Sequence, residues 1–381
     1  MNAFYSGTFR LGILGGGQLG RMFIQEAIDY DVRVHVLDPS PDAPCAAIAH
    51  RFAQGDFASY RDVYEFGKTV DLLTIEIEHV NIEALERLKE EGLAVAPDPA
   101  VLRMIRDKGL QKEFYHRHHI PSAPFFLAED KAEALAIASR GAYMQKLRRG
   151  GYDGKGVTPL RNTDDHARAF DAPSVLEAFV PFEKEVSVIV ARNAEGEIRT
   201  FPMVEMVFNP EANLVEMLSC PAEVPAAVEE EGSRIARKLA EDLELTGILA
   251  VELFLLSDGT LWVNEVAPRP HNSGHQTIEG HVTSQYAQHL RAILGLPLGD
   301  PSILRPSVMI NLLGEKGHSG PVKYLGLEQV LHWPGVYVHL YGKTETRPFR
   351  KMGHVTIVHD SPQEARRIAR DVMDTLKVVS Q

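Results

Sequence analysis

The chain has 381 residues, 44% of them hydrophobic and 24% charged, with a formal net charge of −12 and a pI of about 5.7. That length exceeds what one hydrophobic core usually serves, so two or three domains are expected, and the acidic balance argues against nonspecific nucleic-acid or membrane partners. The start, MNAFYSGTFR, lacks the basic-then-apolar order of a secretory signal, no apolar run reaches the roughly 18 residues of a membrane span, and two isolated cysteines, Cys45 and Cys220, fit a reducing cytoplasm rather than a disulfide framework.

Residues 10–14 read as a short apolar strand. They run into Gly15-Gly16-Gly17-Gln18-Leu19-Gly20, and 18–28 then carries helical spacing through Leu19, Met22, Phe23 and Ala27. A second strand over 32–37 ends at Asp38. This is G-x-G-x-x-G after a strand, with an acid closing the next one: the dinucleotide fingerprint. Glycines let the backbone approach an anion, and a helix N-terminus attracts it. A dinucleotide, another phosphate or substrate, and a plain turn all fit the pattern. A strand at 71–75, a helix at 81–91 and a strand at 93–96 continue the alternation, which implies a doubly wound parallel sheet. Glu76-Ile77-Glu78-His79 follows a strand's C-terminal end, where such sheets place ligands. A carboxylate there suits a sugar or amine; a solvated loop is the alternative.

Pro97 and Pro99 mark a boundary. The division expected is 1–104, 105–182 and 183–381, the last with a strand-rich end over 300–381. A helical region at 100–118 holds Arg106-Asp107-Lys108 and ends in His116, His118 and His119, read as a solvated helix end before Ile120-Pro121. A helix at 131–139 precedes a strand at 142–147 bearing Lys146. Arg148 to Gly156 follows, with four glycines in its last seven residues, which excludes a regular helix or strand. Exposed backbone N–H groups with cations nearby suit polyphosphate. The order is not that of a P-loop, and 157–160 reads as a strand. The segment has the layout of a flexible lid over ATP phosphates; a mobile hairpin is the alternative.

An apolar run at 175–180 carries Glu177. Phe182-Glu183-Lys184-Glu185 leads into a strand at 186–191, a turn at 193–197 returns to 198–203, and 226–242 is an amphipathic helix. Val251 to His275 then concentrates the chemistry. Asp258-Gly259 between apolar runs reads as a two-residue type I′ hairpin turn. That turn sets Ser257 opposite Thr260, Leu255 opposite Trp262, Leu253 opposite Asn264 and Glu252 opposite Glu265. Opposed Cβ atoms lie about 4.5–5.5 Å apart, and like charges there destabilise the pair. A hard divalent cation would reward the placement, because it takes carboxylate oxygens and shares them with phosphates. A glutamate turned to solvent or to a lysine is the alternative. Beyond Glu265, Pro268 and Pro270 exclude a central strand and present Arg269, His271 and Asn272 on a loop beside the carboxylates. A helix at 284–294 and strands at 307–313, 336–341 and 354–359 follow. The locally basic stretch 342–351 is either a solvated hairpin or an anion site. Ser361-Pro362-Gln363-Glu364 is a capping box for a final helix.

The order so far is a doubly wound domain, a strand-borne lysine, a glycine-rich segment, Glu-x-x-Val and two glutamates on adjacent strands. It resembles the ATP-grasp superfamily. GGGQLGRM, GGYDGKG and NEVAPRPHNSGH together resemble the N5-carboxyaminoimidazole ribonucleotide synthetases of purine biosynthesis, over essentially the whole chain. The α/β fold so implied is an N-terminal parallel-sheet domain, a two-part α+β ATP-grasp module and a small strand-rich C-terminal region. The activity implied is ATP-dependent carboxylation of 5-aminoimidazole ribonucleotide by bicarbonate through carboxyphosphate. ATP and Mg²⁺ would be the cofactors, small molecules the only substrates, and a homodimer the assembly.

Position by position, the resemblance sets Arg106, Lys146, Gly151, Tyr152, Asp153, Gly154, Lys155, Gly156, Val157, Glu177, Ala178, Phe179, Val180, Glu185, Asn264 and Glu265 around ATP. It sets Glu252 and Glu265 on the metal, and Gln18, Leu19, Glu76, Asn272 and Arg350 on the ribonucleotide. Tyr152, Asp153, Lys155, Arg269, His271 and Lys343 would serve the reacting end, with Asp153 or His271 helping to remove the amine proton. Two positions depart from the superfamily pattern. Ala267 stands where many members have a metal-binding asparagine, and Phe208 where relatives often have a nucleotide-facing histidine. The competing readings are a formate-dependent glycinamide ribonucleotide transformylase, an NAD-dependent dehydrogenase and a non-catalytic nucleotide binder.

Overall fold

A computed structural model describes residues 4–150, 156–209, 211 and 214–381. The N-terminal part is built on five parallel strands in the order Arg51–Gln54, Arg33–Asp38, Arg10–Leu14, Leu72–Ile75, Ala94–Val95. Helices cover both faces of this sheet, so its central strands are near-continuous apolar runs rather than alternating ones. Leu11 and Ile13 pack towards Phe23 of helix Gln18–Asp29, while Leu14 and Leu73 pack towards Phe66 and Leu85. The doubly wound expectation is met. Two short elements within it, strand Arg51–Gln54 and helix Tyr60–Gly67, were not legible. The single helical region expected at 100–118 is two helices, Pro99–Ile105 and Lys108–Arg117, because Asp107 caps the second by accepting from Gly109 N and Leu110 N.

A four-stranded antiparallel sheet follows, in the order Phe125–Ala128, Ser174–Ala178, Tyr143–Leu147, Val157–Leu160. A larger antiparallel sheet runs Leu261–Ala267, Gly247–Leu256, Phe182–Arg192, Val204–Asn209, Leu214–Cys220, Ser307–Leu313, Lys351–Val358, Val336–Leu340. Helix Ala226–Asp242 buries Ile235, Ala236 and Leu239 against Val186, Val188, Leu249 and Val251 of this sheet. The C-terminal strands therefore extend the hairpin's own sheet. Helix Pro362–Thr375 covers them, and Ser361 caps it by accepting from Glu364 N. Strands Val204–Asn209 and Leu214–Cys220 continue the sheet beyond the strand expected at 198–203.

The central hairpin corrects the expected turn. Gly259 N donates to Leu256 O and Leu256 N to Thr260 O, so residues 257–259 form a three-residue loop, with Gly259 at φ +85°. This is the type I turn closed by a left-handed glycine, not type I′. Ser257 is not opposite Thr260, nor Leu255 opposite Trp262, nor Leu253 opposite Asn264. The pairs are Leu255↔Leu261, Phe254↔Trp262 and Leu253↔Val263. A bulge at Asn264 then shifts the register back, giving Glu252↔Glu265 and Val251↔Val266. Side-chain alternation explains the choice. Leu253, Leu255, Leu261 and Val263 are all buried in one core, whereas the type I′ register would have set Trp262 and Asn264 opposite the two leucines.

Candidate active site

The small sheet meets the hairpin at the bulge. Lys146 Nζ lies 3.0 Å from Asn264 Oδ1 and 2.9 Å from Glu177 Oε2. Lys112, fully buried, lies 3.4 Å from the other Glu177 oxygen. Burial alone would raise the pKa of Glu177, but Lys146 and Lys112 together hold it below the usual carboxylate range. Burial also pushes the Lys112 ammonium down to about 8, against the pull of Glu177. One turn earlier on the same helix face, Lys108 Nζ meets Glu265 Oε2 at 2.8 Å. Asp107 anchors this helix start. Besides capping it, Asp107 accepts from Arg148 at 2.8 and 3.1 Å and from Arg149 at 3.1 Å.

Glu252 and Glu265 are direct cross-strand neighbours, as expected. Lys108 draws the pKa of Glu265 down. Burial first, then the charges of Glu265 and Glu185, push Glu252 up; Lys108 and Lys351 pull the other way. Glu185, on the adjoining strand, is pushed up by burial to about 7. Glu265 does pair with a lysine, the plainer of the two readings, yet half of its side chain stays exposed. Among the described residues, Glu252 has only the His271 ring within ion-pair distance, Nε2 to Oε1 at 3.5 Å. Three carboxylates, Glu185, Glu252 and Glu265, thus stand together on neighbouring strands, within the electrostatic reach of Lys108, Lys146 and Lys351.

The loop after Glu265 supplies the opposite wall. His271 Nδ1 lies 3.0 Å from Ser273 Oγ and 3.3 Å from Ser273 N, and Ser273 Oγ lies 2.9 Å from Ser187 Oγ. A backbone N–H can only donate, so Nδ1 is the acceptor and the hydrogen-bond network assigns the ring proton to Nε2, facing Glu252. Burial, then Arg269 and Lys351, depress the imidazole pKa to about 3, so the ring is neutral. In this geometry its lone pair is turned to Ser273, which makes it a poor base for a substrate amine. Arg269 Nε lies 2.8 Å from Glu78 Oε1, and the Asn272 side chain pairs with Asn311.

The glycine turn has a different occupant from the one its pattern suggests. Gly16 N donates to Asp38 at 2.8 Å, Gly17 N to Glu76 at 2.6 Å and Gly20 N to Glu76 at 2.8 Å. A Cβ on residue 17 would sit 2.6 Å from Glu76 Oε1, so a side chain there would displace the carboxylate from its present place. The chain's own carboxylates fill the donors that a dinucleotide phosphate would use, and the dehydrogenase reading loses its basis. Gln18 and Leu19 open the helix beside Glu76.

Other expected residues are spread around this seam. Lys343 donates to Lys351 O at 2.6 Å; burial, then Arg350, lower its pKa to about 8, while Glu76 acts to raise it. Arg350 donates to Glu345 O at 2.7 Å and Arg106 to Val80 O at 2.6 Å. Ala178 N donates to Pro124 O, and the Arg161 guanidinium lies 5.1 Å from the Phe179 ring centroid. Val180 follows the strand bearing Glu177. Gly156 O accepts from Leu147 N at 2.8 Å, and Val157 pairs with Lys146. Gly151, Tyr152, Asp153, Gly154 and Lys155 lie outside the described residues. His118 lies 3.3 Å from Asp242 and stacks on Phe114, in keeping with a structural helix end. The sequence gives no role to Lys112, and it marks Lys108, Glu78 and Lys351 only as members of the runs 106–108, 76–79 and 342–351; the four-residue spacing of Lys108 and Lys112 is the signal that marks their helix face.

Comparison with known proteins agrees with this geometry. Residues 9–106 match the ribonucleotide synthetase preATP-grasp domain, 113–286 the ATP-grasp domain, and 307–368 the phosphoribosylaminoimidazole carboxylase C-terminal domain. The chloroplastic phosphoribosylaminoimidazole carboxylase of Vigna aconitifolia is 39% identical over 364 residues, covering 92% of this chain; the chain spans 64% of that protein's length. The crystal structure of N5-carboxyaminoimidazole ribonucleotide synthetase from Thermotoga maritima is 40% identical with a TM-score of 0.91, covering 98% of this chain and 100% of that one. The Aspergillus clavatus N5-carboxyaminoimidazole synthase in complex with ADP and 5-aminoimidazole ribonucleotide is 31% identical with a TM-score of 0.87, covering 97% and 98%.

Proposed function

The chain belongs to the N5-carboxyaminoimidazole ribonucleotide synthetases, ligases of the ATP-grasp type, and from that premise we propose that it joins bicarbonate to 5-aminoimidazole ribonucleotide at the expense of ATP. The observation that carries the reading is the seam itself. Glu252 and Glu265 face each other between Lys108 and the Lys146–Glu177 pair on one side and the Arg269–His271 loop on the other.

A bicarbonate oxygen attacks the γ-phosphorus, the bond to the ADP oxygen breaks, and carboxyphosphate forms. The exocyclic amine then bonds to the carboxyl carbon, directly or after CO₂ is released. Phosphate leaves and the amine gives up a proton. Phosphoryl transfer is chiefly positioning and charge neutralisation, which suits Lys108 and Lys146 to the phosphates and Glu177 with Glu185 to the nucleoside. The facing carboxylates of Glu252 and Glu265 fit a divalent cation. Those two residues, with Asn264 beside them, would hold Mg²⁺, and a bound ion would neutralise phosphate oxygens. His271, neutral with its proton on Nε2, donates to a carboxyl or phosphate oxygen. Asp153 is the other residue considered for accepting the amine proton.

Glu76, Gln18 and Leu19 serve the ribonucleotide end with Asn272, and Lys343 with Arg350 serves its phosphate. The division near residues 104 and 182, a homodimer and a cytoplasmic location belong to the same proposal. Among the described residues, no helix is long and apolar enough to cross a membrane. The test is ADP release in bicarbonate with and without 5-aminoimidazole ribonucleotide. Release that depends on that ribonucleotide is the expected result. Release driven instead by glycinamide ribonucleotide and formate would overturn it.

A further inference from the structure

Residues 271 and 272 belong to no strand, and the prolines at 268 and 270 lack the N–H groups that a ladder would use. Two buried amide side chains take the place of a ladder. Gln285, in the first turn of helix Gln285–Ile293, accepts from His271 N at 2.9 Å and donates to His271 O at 2.8 Å. The second Nε2 proton points to His275 Nδ1 at 3.3 Å, so the amide can adopt only one orientation. Gln285 is 0% exposed.

Asn311, on strand Ser307–Leu313, does the same for the next residue. Its Nδ2 donates to Val215 O at 2.7 Å and to Asn272 Oδ1 at 2.9 Å, which uses both protons. Its Oδ1 is left to accept from Asn272 Nδ2 at 2.9 Å. The Val215 carbonyl thereby fixes which way Asn311 faces, and Asn311 fixes which way Asn272 faces. Asn272 keeps one N–H and one oxygen lone pair for a ligand, at set positions.

We propose that Gln285 and Asn311 are positioning residues for the carboxylation site: Gln285 fixes the backbone of His271, and Asn311 fixes the amide orientation of Asn272. The inference rests on the function proposed above. The two come from different elements, a helix packed on the N-terminal domain and a strand of the C-terminal extension, and meet on adjacent residues. Each makes a two-bond cyclic pair, the arrangement that fixes direction as well as distance. Neither bonds to Lys108, Lys146, Glu177 or Glu185, so their loss should be felt by the ribonucleotide more than by ATP.

The test measures KM for ATP, kcat/KM for 5-aminoimidazole ribonucleotide and the thermal midpoint for the wild-type chain, Gln285→Met, Asn311→Leu, Asn272→Ala and the Asn272→Ala/Asn311→Leu pair. The expected result is a fall of about tenfold to a hundredfold in kcat/KM for the ribonucleotide in Gln285→Met and Asn311→Leu, with KM for ATP moving less than about twofold. Adding Asn311→Leu to Asn272→Ala should cost less than about twofold more, because Asn311 acts through Asn272. Penalties that multiply in the pair, or a KM for ATP that rises in step with the ribonucleotide term, overturn the proposal. If either apolar variant does not fold, Gln285→Glu and Asn311→Asp keep the shape while removing donors, and the same selective loss is required of them. A wild-type chain with no ribonucleotide-dependent turnover overturns the functional reading beneath the proposal, and it shows before any variant is made.

Discussion

The glycine turn at residues 15–20 and the hairpin loop at 251–275 both carry sequence patterns that suggest ligand chemistry, and the structure resolves them in opposite ways. At the turn, backbone donors and acidic side chains occur together, and the fold pairs them: Asp38 takes Gly16 N, and Glu76 takes Gly17 N and Gly20 N. The donors are spent internally. At the hairpin, acid faces acid: Lys108 reaches Glu265, while Glu252 meets the neutral His271 ring. A motif of N–H groups says that an anion is wanted, but the chain can supply it. A pair of like charges across a ladder cannot satisfy itself, so it points outward to a ligand.

The hairpin side of this contrast breaks most visibly. Glu265→Gln keeps the shape and removes one carboxylate from the seam. Turnover should fall by about a thousandfold or more, with the far-ultraviolet dichroism unchanged. Full ADP release in that variant would sink the ligand-directed reading of the facing pair. The turn should fail differently. Glu76→Ala strips two charge-assisted hydrogen bonds from buried amides, and the expected loss of stability by urea unfolding is about 2–4 kcal/mol. A loss within about 0.5 kcal/mol would mean that the amides find water and that Glu76 is not the turn's structural anion. Saturable NADH binding by the wild-type chain would remove the contrast altogether.

How far the sequence could be read follows the same division. The strand–turn–helix at residue 10, helix Ala226–Asp242 and the capping box at Ser361 were legible because local chemistry decides them. The Glu252–Glu265 pairing was anticipated through a register wrong by one residue at the turn and corrected by a bulge that no sequence rule located. Both shifts answer to the core, where Leu253, Leu255, Leu261 and Val263 must share a face. Lys108 and Lys112 were missed because their partners, Glu265 and Glu177, are distant in sequence and come from different sheets. Asp107 looked like one charge in a basic-acidic-basic run. Only the fold shows it starting a helix and holding two arginines.

Lys343 tests whether the hairpin's logic extends to the C-terminal side. Burial, then Arg350, lower its pKa to about 8, below the ordinary lysine value of 10.5. Between those two values the unfolded chain binds more protons than the folded one, so the contribution of this group to stability rises with pH through that window. Below about pH 8 the folded state carries the full cost of a poorly placed cation. Lys343→Met removes that cost together with one hydrogen bond to Lys351 O. The net expectation is a gain of about 1 kcal/mol at pH 7 that disappears by about pH 10, read from urea unfolding at several pH values. Ribonucleotide-dependent turnover should fall in the same variant. A loss of stability that does not change with pH would show a cation satisfied by its own chain, like the glycine turn's amides. A gain at neutral pH coupled to lost activity would place Lys343 with the facing glutamates, as charge held against stability for a ligand of opposite sign.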